Sequence, residues 1–505
     1  MRQGNLSLFY KLHSWTGLIT ANLLFVVCFS GAIALFKHEL HAWEKPQQRL
    51  AYINTTGQID ALVQQALSTA QPDPQQSILI TLPSPDHPQL EARFIEQESR
   101  LIRSVFVNPT SHELVEDHGN DVMHLMKMMH TDLMLPKPWG RYLVGLLGII
   151  MLFSIVTGVV MHRKIFRDIF KLRTLRSVRL LWSDTHKLLG VWGLFFHLMI
   201  AFTGAILGLS ALIQGLTAIG AFDGDVQLAR EQVLGKAPQY SDTPAKMLNL
   251  DDLLLKAQIE IPDAELKSLR LDLWKDANAH VEVSMNQPQA LTSVAMVQFS
   301  GVTGEKIKKV DLLEESTPFF RAFMAITPLH YAQFGGLLLK LLYYLLGLGT
   351  AMLTVTGILI WDTRRRQREK HYENNHNYMG RFTVGICAGM VIATAMVFWA
   401  NKLIPLFELS RSPYFWITTI YFVSWSLCLI WSCVCENTRN TTIQLLGLAA
   451  FLTMGLPVLN GWLTGDWLIY TLINQQWYIA VTDIMMLLTG ILFATIAYQL
   501  NRSTN

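Results

Sequence analysis

Apolar residues collect into eight long runs, near positions 14–36, 139–161, 187–212, 336–361, 380–402, 414–435, 442–462 and 477–499. Each is long enough for a helix to cross about 30 Å of hydrocarbon, so the pattern predicts eight transmembrane helices. Two long segments, about 37–138 and 213–335, interrupt the series with a different rhythm. In the first, an amphipathic stretch from Gly57 to Ala70 precedes alternating runs at Ser77–Leu82 and Leu101–Val107, which close on the turn Asn108-Pro109-Thr110. In the second, a helix near Leu250–Ala257 precedes strands at Ser268–Trp274, His280–Met285 and Thr292–Phe299, closing on Gly301-Val302-Thr303-Gly304-Glu305. A period of two bounded by Gly, Pro and Asn predicts small half-buried sheets packed on a helix. Each segment is therefore expected to form one small α+β module.

Composition sharpens this picture. Hydrophobic residues make up 51% of the chain and charged residues 16%, which excludes an ordinary soluble enzyme. Arg163, Lys164, Arg167, Lys171, Arg173, Arg176 and Arg179 crowd the second connection, and Arg364, Arg365, Arg366, Arg368 and Lys370 crowd the fourth. Positive charge is retained on the cytoplasmic side, so both termini are expected in the cytoplasm and both long segments outside, in the periplasm of a bacterial inner membrane. The first run is too long for a signal-peptide core and lacks a small-residue cleavage site, and is read as a retained anchor. The net charge of +3 is accounted for by the basic connections and calls for no nucleic-acid partner. Cys28, Cys387, Cys428, Cys433 and Cys435 all fall in or beside predicted spans; they read as packing residues, and no disulfide framework is possible in the outer segments.

The candidate chemistry is imidazole. His13 and His186 each open an apolar run with Gly17 or Gly190 four residues on, and each run reaches a small-residue step, Ser30-Gly31 or Thr203-Gly204, with the glycine 18 residues after the histidine. A duplicated unit that keeps an ionisable ring at the edge of lipid points to a ligand, because polar groups there are costly. A lone interfacial histidine reads as a simple hydrogen-bonder; the repetition argues otherwise. His130 and His330 form a second pair, 27 residues before Thr157 and 26 before Thr356, both expected near the outer face. Paired imidazoles suit axial ligation of haem iron, which leaves no position open and favours electron transfer. His197 lies 11 residues after His186; on one continuous helix the two rings share a face, and His197 is either a ligand or a hydrogen-bonded core group. His162 is a reserve candidate for the inner site, Trp361 standing at the matching place in the second unit.

Other features weigh less. Met123, Met126, Met128 and Met129 interleave with His124 and His130, which admits copper(I) or a thioether haem ligand as well as an amphipathic turn lying on the bilayer. No histidine occurs in the runs after 380, where seven tryptophans suit an aromatic belt and Asp483 is read as lying near the outer interface. No Gly-x-Gly-x-x-Gly after a strand, Walker loop, His-Glu-x-x-His or Gly-x-Ser-x-Gly occurs, so electrons for any reduction come from a separate cytoplasmic donor or a quinol.

The His-x-x-x-Gly openings, the helix-then-strands segments ending in Val302-Thr303-Gly304-Glu305, and the returns Met129-His130-Thr131-Asp132-Leu133 and Leu329-His330-Tyr331-Ala332-Gln333-Phe334-Gly335-Gly336 resemble the PepSY-associated transmembrane helix family over about residues 1–365. The resemblance implies iron-regulated inner-membrane proteins that reduce ferric siderophores and hold two haems near opposite faces of the membrane.

The expected architecture is a mainly α membrane protein in which two small periplasmic α+β, PepSY-like modules are inserted in an internally duplicated four-helix haem-binding core. Residues 1–162 form the first repeat with its module at about 50–118, residues 163–365 the second with its module at about 248–312, and residues 366–505 a C-terminal four-helix membrane domain. The expected function is a conduit with two b-type haems, on His13 with His186 and His130 with His330 and with His197 as a further candidate, that reduces a periplasmic Fe(III) complex and hands iron to a ferrous transporter. The competing expectation is a haem-free scaffold whose modules bind and regulate a peptide, protease or transporter.

Overall fold

The computed structural model describes all residues except 1–2, 47–48, 86, 96–101, 116–121, 163–169, 171–172, 174–176, 229–230, 232–235, 288–290, 292–294, 312–316, 333, 369–376 and 503–505. Arg163, Lys164, Arg167, Lys171, Arg176, Lys370, Leu101, Thr292 and Gln333 thus lie outside the described residues. The chain begins with helices α1 (Gln3–Ala34), α2 (Lys37–Glu44) and α3 (Ile59–Ala70), then strands β1 (Ile78–Thr81), β2 (Leu90–Ile95), β3 (Ile102–Val107) and β4 (Leu114–Val115). Next come α4 (Val122–Thr131), α5 (Trp139–Met161), α6 (Val178–Trp192), α7 (Leu194–Gly208), α8 (Ser210–Ala221) and α9 (Leu250–Glu260). Strands β5 (Glu265–Asp272), β6 (His280–Asn286), β7 (Ala295–Ser300) and β8 (Lys306–Asp311) follow. The remainder is helical: α10 (Pro318–Met324), α11 (Ile326–Tyr331), α12 (Gly336–Arg368), α13 (Tyr378–Leu403), α14 (Pro413–Val434), α15 (Thr438–Thr464), α16 (Leu468–Ile473) and α17 (Trp477–Arg502). Two compact units result, one of residues 1–44, 118–211 and 330–505, the other of residues 45–117 and 212–329.

The strand-bearing unit departs from expectation in one respect. Its two segments do not build two separate sheets; they supply four strands each to a single antiparallel sheet in the order β4-β3-β2-β1-β5-β6-β7-β8. The join is β1 against β5, with Ile78 opposite Leu271 and Ile80 opposite Leu269. Each half alone would expose β1 or β5 as an edge full of unpaired backbone groups, and pairing the two removes both edges. Of the two remaining edges, β4 is only two residues long and β8 carries Lys306, Lys308 and Lys309, and short strands and such charge both discourage further strand addition. Alternation along β2 sends Leu90, Ala92 and Phe94 inward, where they meet Leu62, Val63 and Ala66 of α3 and Leu250, Leu253 and Ala257 of α9. Full burial of each such aliphatic side chain contributes roughly 1.5–3 kcal/mol.

The two helices cap one another. Asp251 accepts from the backbone N–H of Ile59 at 3.1 Å and of Asp60 at 3.0 Å, while Asp60 accepts from the N–H of Leu250 at 3.1 Å. Each carboxylate satisfies orphan donors of the other helix and offsets the positive end of its dipole.

In the helical unit, α1, α5, α12, α13, α14, α15 and α17 are each long and apolar enough to cross a membrane. The eighth expected span, 187–212, is not one straight helix: α6 and α7 meet at Gly193 with a bend of 70°. The ring of His197 occupies the elbow, where a Cβ on Gly193 would lie 2.4 Å from His197 Nε2. Close approach of α5 and α7 also depends on small residues, since a Cβ on Gly208 would lie 2.6 Å from Gly145 Cα and one on Gly148 3.0 Å from Ala205 N. Without a hydrophobic drive between helices in lipid, such backbone proximity is a main source of packing energy.

Asp483 meets a partner inside the protein. It is fully buried and accepts from Trp43 Nε1 at 2.8 Å. Lys402 donates to the Trp43 carbonyl, its Nζ lies 4.1 Å from the centre of the indole, and Phe398 meets that ring edge-on. Short helix α2 is thus fastened to α13 and α17. Of the seven tryptophans expected in a belt, Trp431, Trp462, Trp467 and Trp477 are exposed, whereas Trp399 and Trp425 donate to the carbonyls of Leu452 and Ile386 within the bundle.

Two outcomes follow from these contacts. Asp251→Ala is expected to lower stability by about 1–2 kcal/mol, seen as an earlier thermal transition of the sheet by circular dichroism. Trp43→Phe, which strips a donor from a buried carboxylate, is expected to cost on the order of 1–3 kcal/mol, read as a lower melting temperature in detergent, while Trp462→Phe on the exposed surface leaves it unchanged.

Candidate functional site

His13 stands on α1 one turn before Gly17, and His186 stands on α6 one turn before Gly190. Their ring centroids are 6.2 Å apart and the ring planes nearly perpendicular, at 84°. Each ring is anchored the same way by the helix that returns through its own repeat. His13 Nδ1 reaches the Ser154 carbonyl at 2.9 Å and Thr157 Oγ1 at 3.2 Å, both on α5; His186 Nδ1 reaches the Leu353 carbonyl at 3.1 Å and Thr356 Oγ1 at 3.0 Å, both on α12. A carbonyl only accepts, and the Thr157 and Thr356 hydroxyls already donate within their own helices. The proton therefore sits on Nδ1, leaving the Nε2 lone pair as the available donor, the arrangement by which second partners orient metal-binding imidazoles. Gly158 and Gly357 admit the rings: a Cβ at either would lie 3.3 Å or 3.6 Å from the Cε1 of His13 or His186.

The second pair is formed by His130 at the end of α4 and His330 on α11, with ring centroids 5.9 Å apart and planes 30° from parallel. His130 Nδ1 donates to the Val27 carbonyl at 2.8 Å, and His330 Nδ1 meets Thr203 Oγ1 at 2.9 Å, whose own proton goes to the Met199 carbonyl. Gly31 lies against His130 and Gly204 against His330; a Cβ added to either glycine would stand 2.5 Å or 3.2 Å from the nearest ring atom. Both helices lie outside the candidate spans. Burial lowers the His130 pKa, and burial together with the neighbouring His130 brings His330 down to about 3, so both rings are neutral at physiological pH.

Metal–imidazole bonds are about 2.0 Å long, so two rings ligating one ion from opposite sides have centroids roughly 6 Å apart. Both pairs meet that spacing. Around His13 and His186 lies a cavity of about 530 Å³, within the range of cofactor pockets, walled by apolar side chains such as Leu18, Leu24, Met151 and Leu353. Gly17 faces it with nothing within 4 Å of an added Cβ. The donor set, two imidazoles tied at Nδ1 beside a mostly apolar chamber, fits an iron porphyrin, and among the described residues no cluster of three or more His, Cys, Asp or Glu suits a bare ion.

The PepSY-associated TM region family matches residues 10–364. The chain belongs to this family. An uncharacterized protein of Pseudomonas aeruginosa is similar to it, with 30% identity over 317 residues that cover 60% of this chain and 78% of the relative. The family match takes in all four paired histidines and stops before α13, so the last four spans lie beyond it.

His197 joins neither pair. Its Nε2 is 3.1 Å from the Leu189 carbonyl and its Nδ1 3.0 Å from Thr350 Oγ1, so both nitrogens are engaged. The bend at Gly193 also removes the shared helix face on which His186 and His197 were expected together. His162 lines the cavity, as does Trp361 at the matching place. Met123, Met126 and Met129 are buried in the helical core and His124 meets the Tyr414 ring edge-on, which makes α4 an amphipathic packing helix. The anchors Ser154, Leu353 and Val27 carry no signal as single residues; the Thr-Gly steps at 157–158, 203–204 and 356–357, with Ser30-Gly31, are the visible mark of where the four rings rest.

Gly31→Ala is expected to push the His130 ring off the Val27 carbonyl and destabilise the protein by about 1–3 kcal/mol, whereas Gly17→Ala, facing open space, leaves the melting temperature unchanged. Thermal unfolding of the two purified variants in detergent makes the comparison.

Proposed function

We propose that this protein is a haem-containing electron conduit of the bacterial inner membrane, reducing a ferric complex on the outer side with electrons from a cytoplasmic donor or quinol and so supporting iron acquisition. The observation that carries the proposal is the doubling: two histidine pairs, at 6.2 Å and 5.9 Å between ring centroids, all four Nδ1 atoms tied to helix acceptors.

His13 with His186 and His130 with His330 would each hold one haem, which would supply one-electron transfer. The chain's residues do the rest. His13 and His186 present Nε2 and hold Nδ1–H against α5 and α12, which keeps the rings from turning. Gly158, Gly357, Gly31 and Gly204 let the helices close on those rings, and the apolar walls exclude water. In this reading Arg364, Arg365 and Arg366, in the last turns of the helix that carries Leu353 and Thr356, mark the cytoplasmic side because positive charge is retained there, with the first pair toward that side and His130 and His330 toward the periplasm. Two sites are needed because one macrocycle does not bridge about 30 Å of hydrocarbon. The substrate is read as Fe(III) in an oxygen-rich chelate, which releases Fe(II) after one-electron reduction to a ferrous importer. In this reading the strand-bearing segments are the PepSY-like parts inserted in a duplicated core.

The test is optical. Purified wild type is expected to show a reducible bis-imidazole haem spectrum with about two haems per chain; His13→Ala and His130→Ala each remove about one and abolish ferric reduction in membranes. Colourless, monodisperse wild type from haem-replete cells overturns the proposal in favour of a haem-free scaffold.

A further inference from the structure

The histidine pair at the cavity is close to symmetric, yet the polar residues beside it are not. An offset of 173 positions carries His13 onto His186 and Gly17 onto Gly190, but it carries Tyr10 onto Ser183 and Ser14 onto Lys187. On the returning helices an offset of 199 carries Thr157 onto Thr356 and Gly158 onto Gly357, but places Arg364 where the first repeat has Ile165. Lys187 and Arg364 both line the cavity and both come from the second repeat, and among the described residues no carboxylate lines it.

Neither cation is consumed by a strong ion pair. Asp184, the carboxylate nearest Lys187, is held by Arg173 through Nε at 2.8 Å and Nη2 at 2.7 Å, and stands 3.8 Å from Lys187 Nζ. Asp362, two residues before Arg364, is taken by Arg366 at 2.9 Å. Arg364 lies with its guanidinium carbon 5.1 Å from the centre of the Tyr10 ring, a stacking contact that orients the fork while leaving its N–H groups unspent. A half-buried Lys and Arg lining a mostly apolar chamber make a place for anions.

We propose that Lys187 and Arg364, steadied by Tyr10, bind the two carboxylates of a flat dicarboxylate macrocycle and thereby fix it in one of the two orientations that the paired histidines alone would accept. This rests on the haem reading above and adds to it the recognition of the acid edge. The rim selects for a free diacid, and a macrocycle whose acids are esterified loses that contact while keeping both axial imidazoles.

The experiment uses the full chain carrying His130→Ala and His330→Ala, so that only the first pair can ligate, prepared from haem-deficient cells and loaded with either protohaem or its dimethyl ester. Retention is read as the rate of transfer to excess apomyoglobin, followed by absorption. The parent is expected to hold the diacid on the order of tenfold longer than the ester, as befits hydrogen bonds to charged groups. Lys187→Gln with Arg364→Gln is expected to erase the difference, and Lys187→Arg with Arg364→Lys to keep most of it. Equal retention of acid and ester by the parent, or a preference that survives the double glutamine change, overturns the rim while leaving axial ligation by His13 and His186 standing. A parent that takes up neither compound overturns the haem reading and the rim together.

Discussion

An imidazole buried among membrane helices has two nitrogens to satisfy and almost nothing polar to satisfy them with. The helical unit meets that constraint by reusing helix carbonyls, which retain a second lone pair after accepting their own backbone bond. Ser154, Leu353 and Val27 each offer that lone pair to a ring, and a threonine beside the first two holds the ring in plane. Fixing Nδ1 as the donor fixes Nε2 as the base. Four rings obey this rule and become candidate ligands; His197, with Leu189 on one nitrogen and Thr350 on the other, is spent on holding an elbow. The same side chain takes either role according to whether one or both of its nitrogens find a partner in the protein.

Duplication explains why the arrangement is economical. One hairpin-like unit that brings a histidine to a Thr-Gly step needs only a second copy to place two rings face to face, and the glycines recur because each ring needs the same space. The sheet follows the same logic, with two four-strand halves meeting at β1 and β5 and two helices exchanging aspartate caps. Where the copies diverge, as at Ser14 against Lys187 and His162 against Trp361, the two halves line their shared cavity unequally.

Local periodicity made most elements readable. The straight spans, α3, β1, β3 and the helix starting at Leu250 announce themselves because burial in each is decided by neighbours three or four residues away, or two. The pairing of His13 with His186 was readable from an offset repeated to the residue. The 70° break was not, because a glycine in an apolar run is ordinary in membrane helices and only a ring arriving from His197 makes Gly193 an elbow. The β1–β5 join was hidden for a related reason: Ile78 and Leu271 are far apart in the chain, and nothing in either strand's alternation distinguishes an edge from an inner strand. Asp483 and Trp43 are further apart still, and nothing in the sequence around either residue announces the hydrogen bond between them.

That last contact bears on the helices without histidine. Helix α2 continues almost directly from α1, whose Val27 carbonyl holds His130 and whose Gly31 receives its ring. Buried at the far end of α2, Trp43 is held at its indole nitrogen by Asp483 of α17 and at its carbonyl by Lys402 of α13, and Glu39 on the same helix takes Lys340 of α12 at 2.8 Å. Burying such charges is costly unless each is paired, so the pairs specify one position for α2 more sharply than apolar packing would. By fixing the continuation of α1, α13 and α17 restrict how that helix can shift or rotate where it meets His130. A bundle without a paired histidine of its own thereby helps to determine the distance between the His130 and His330 rings.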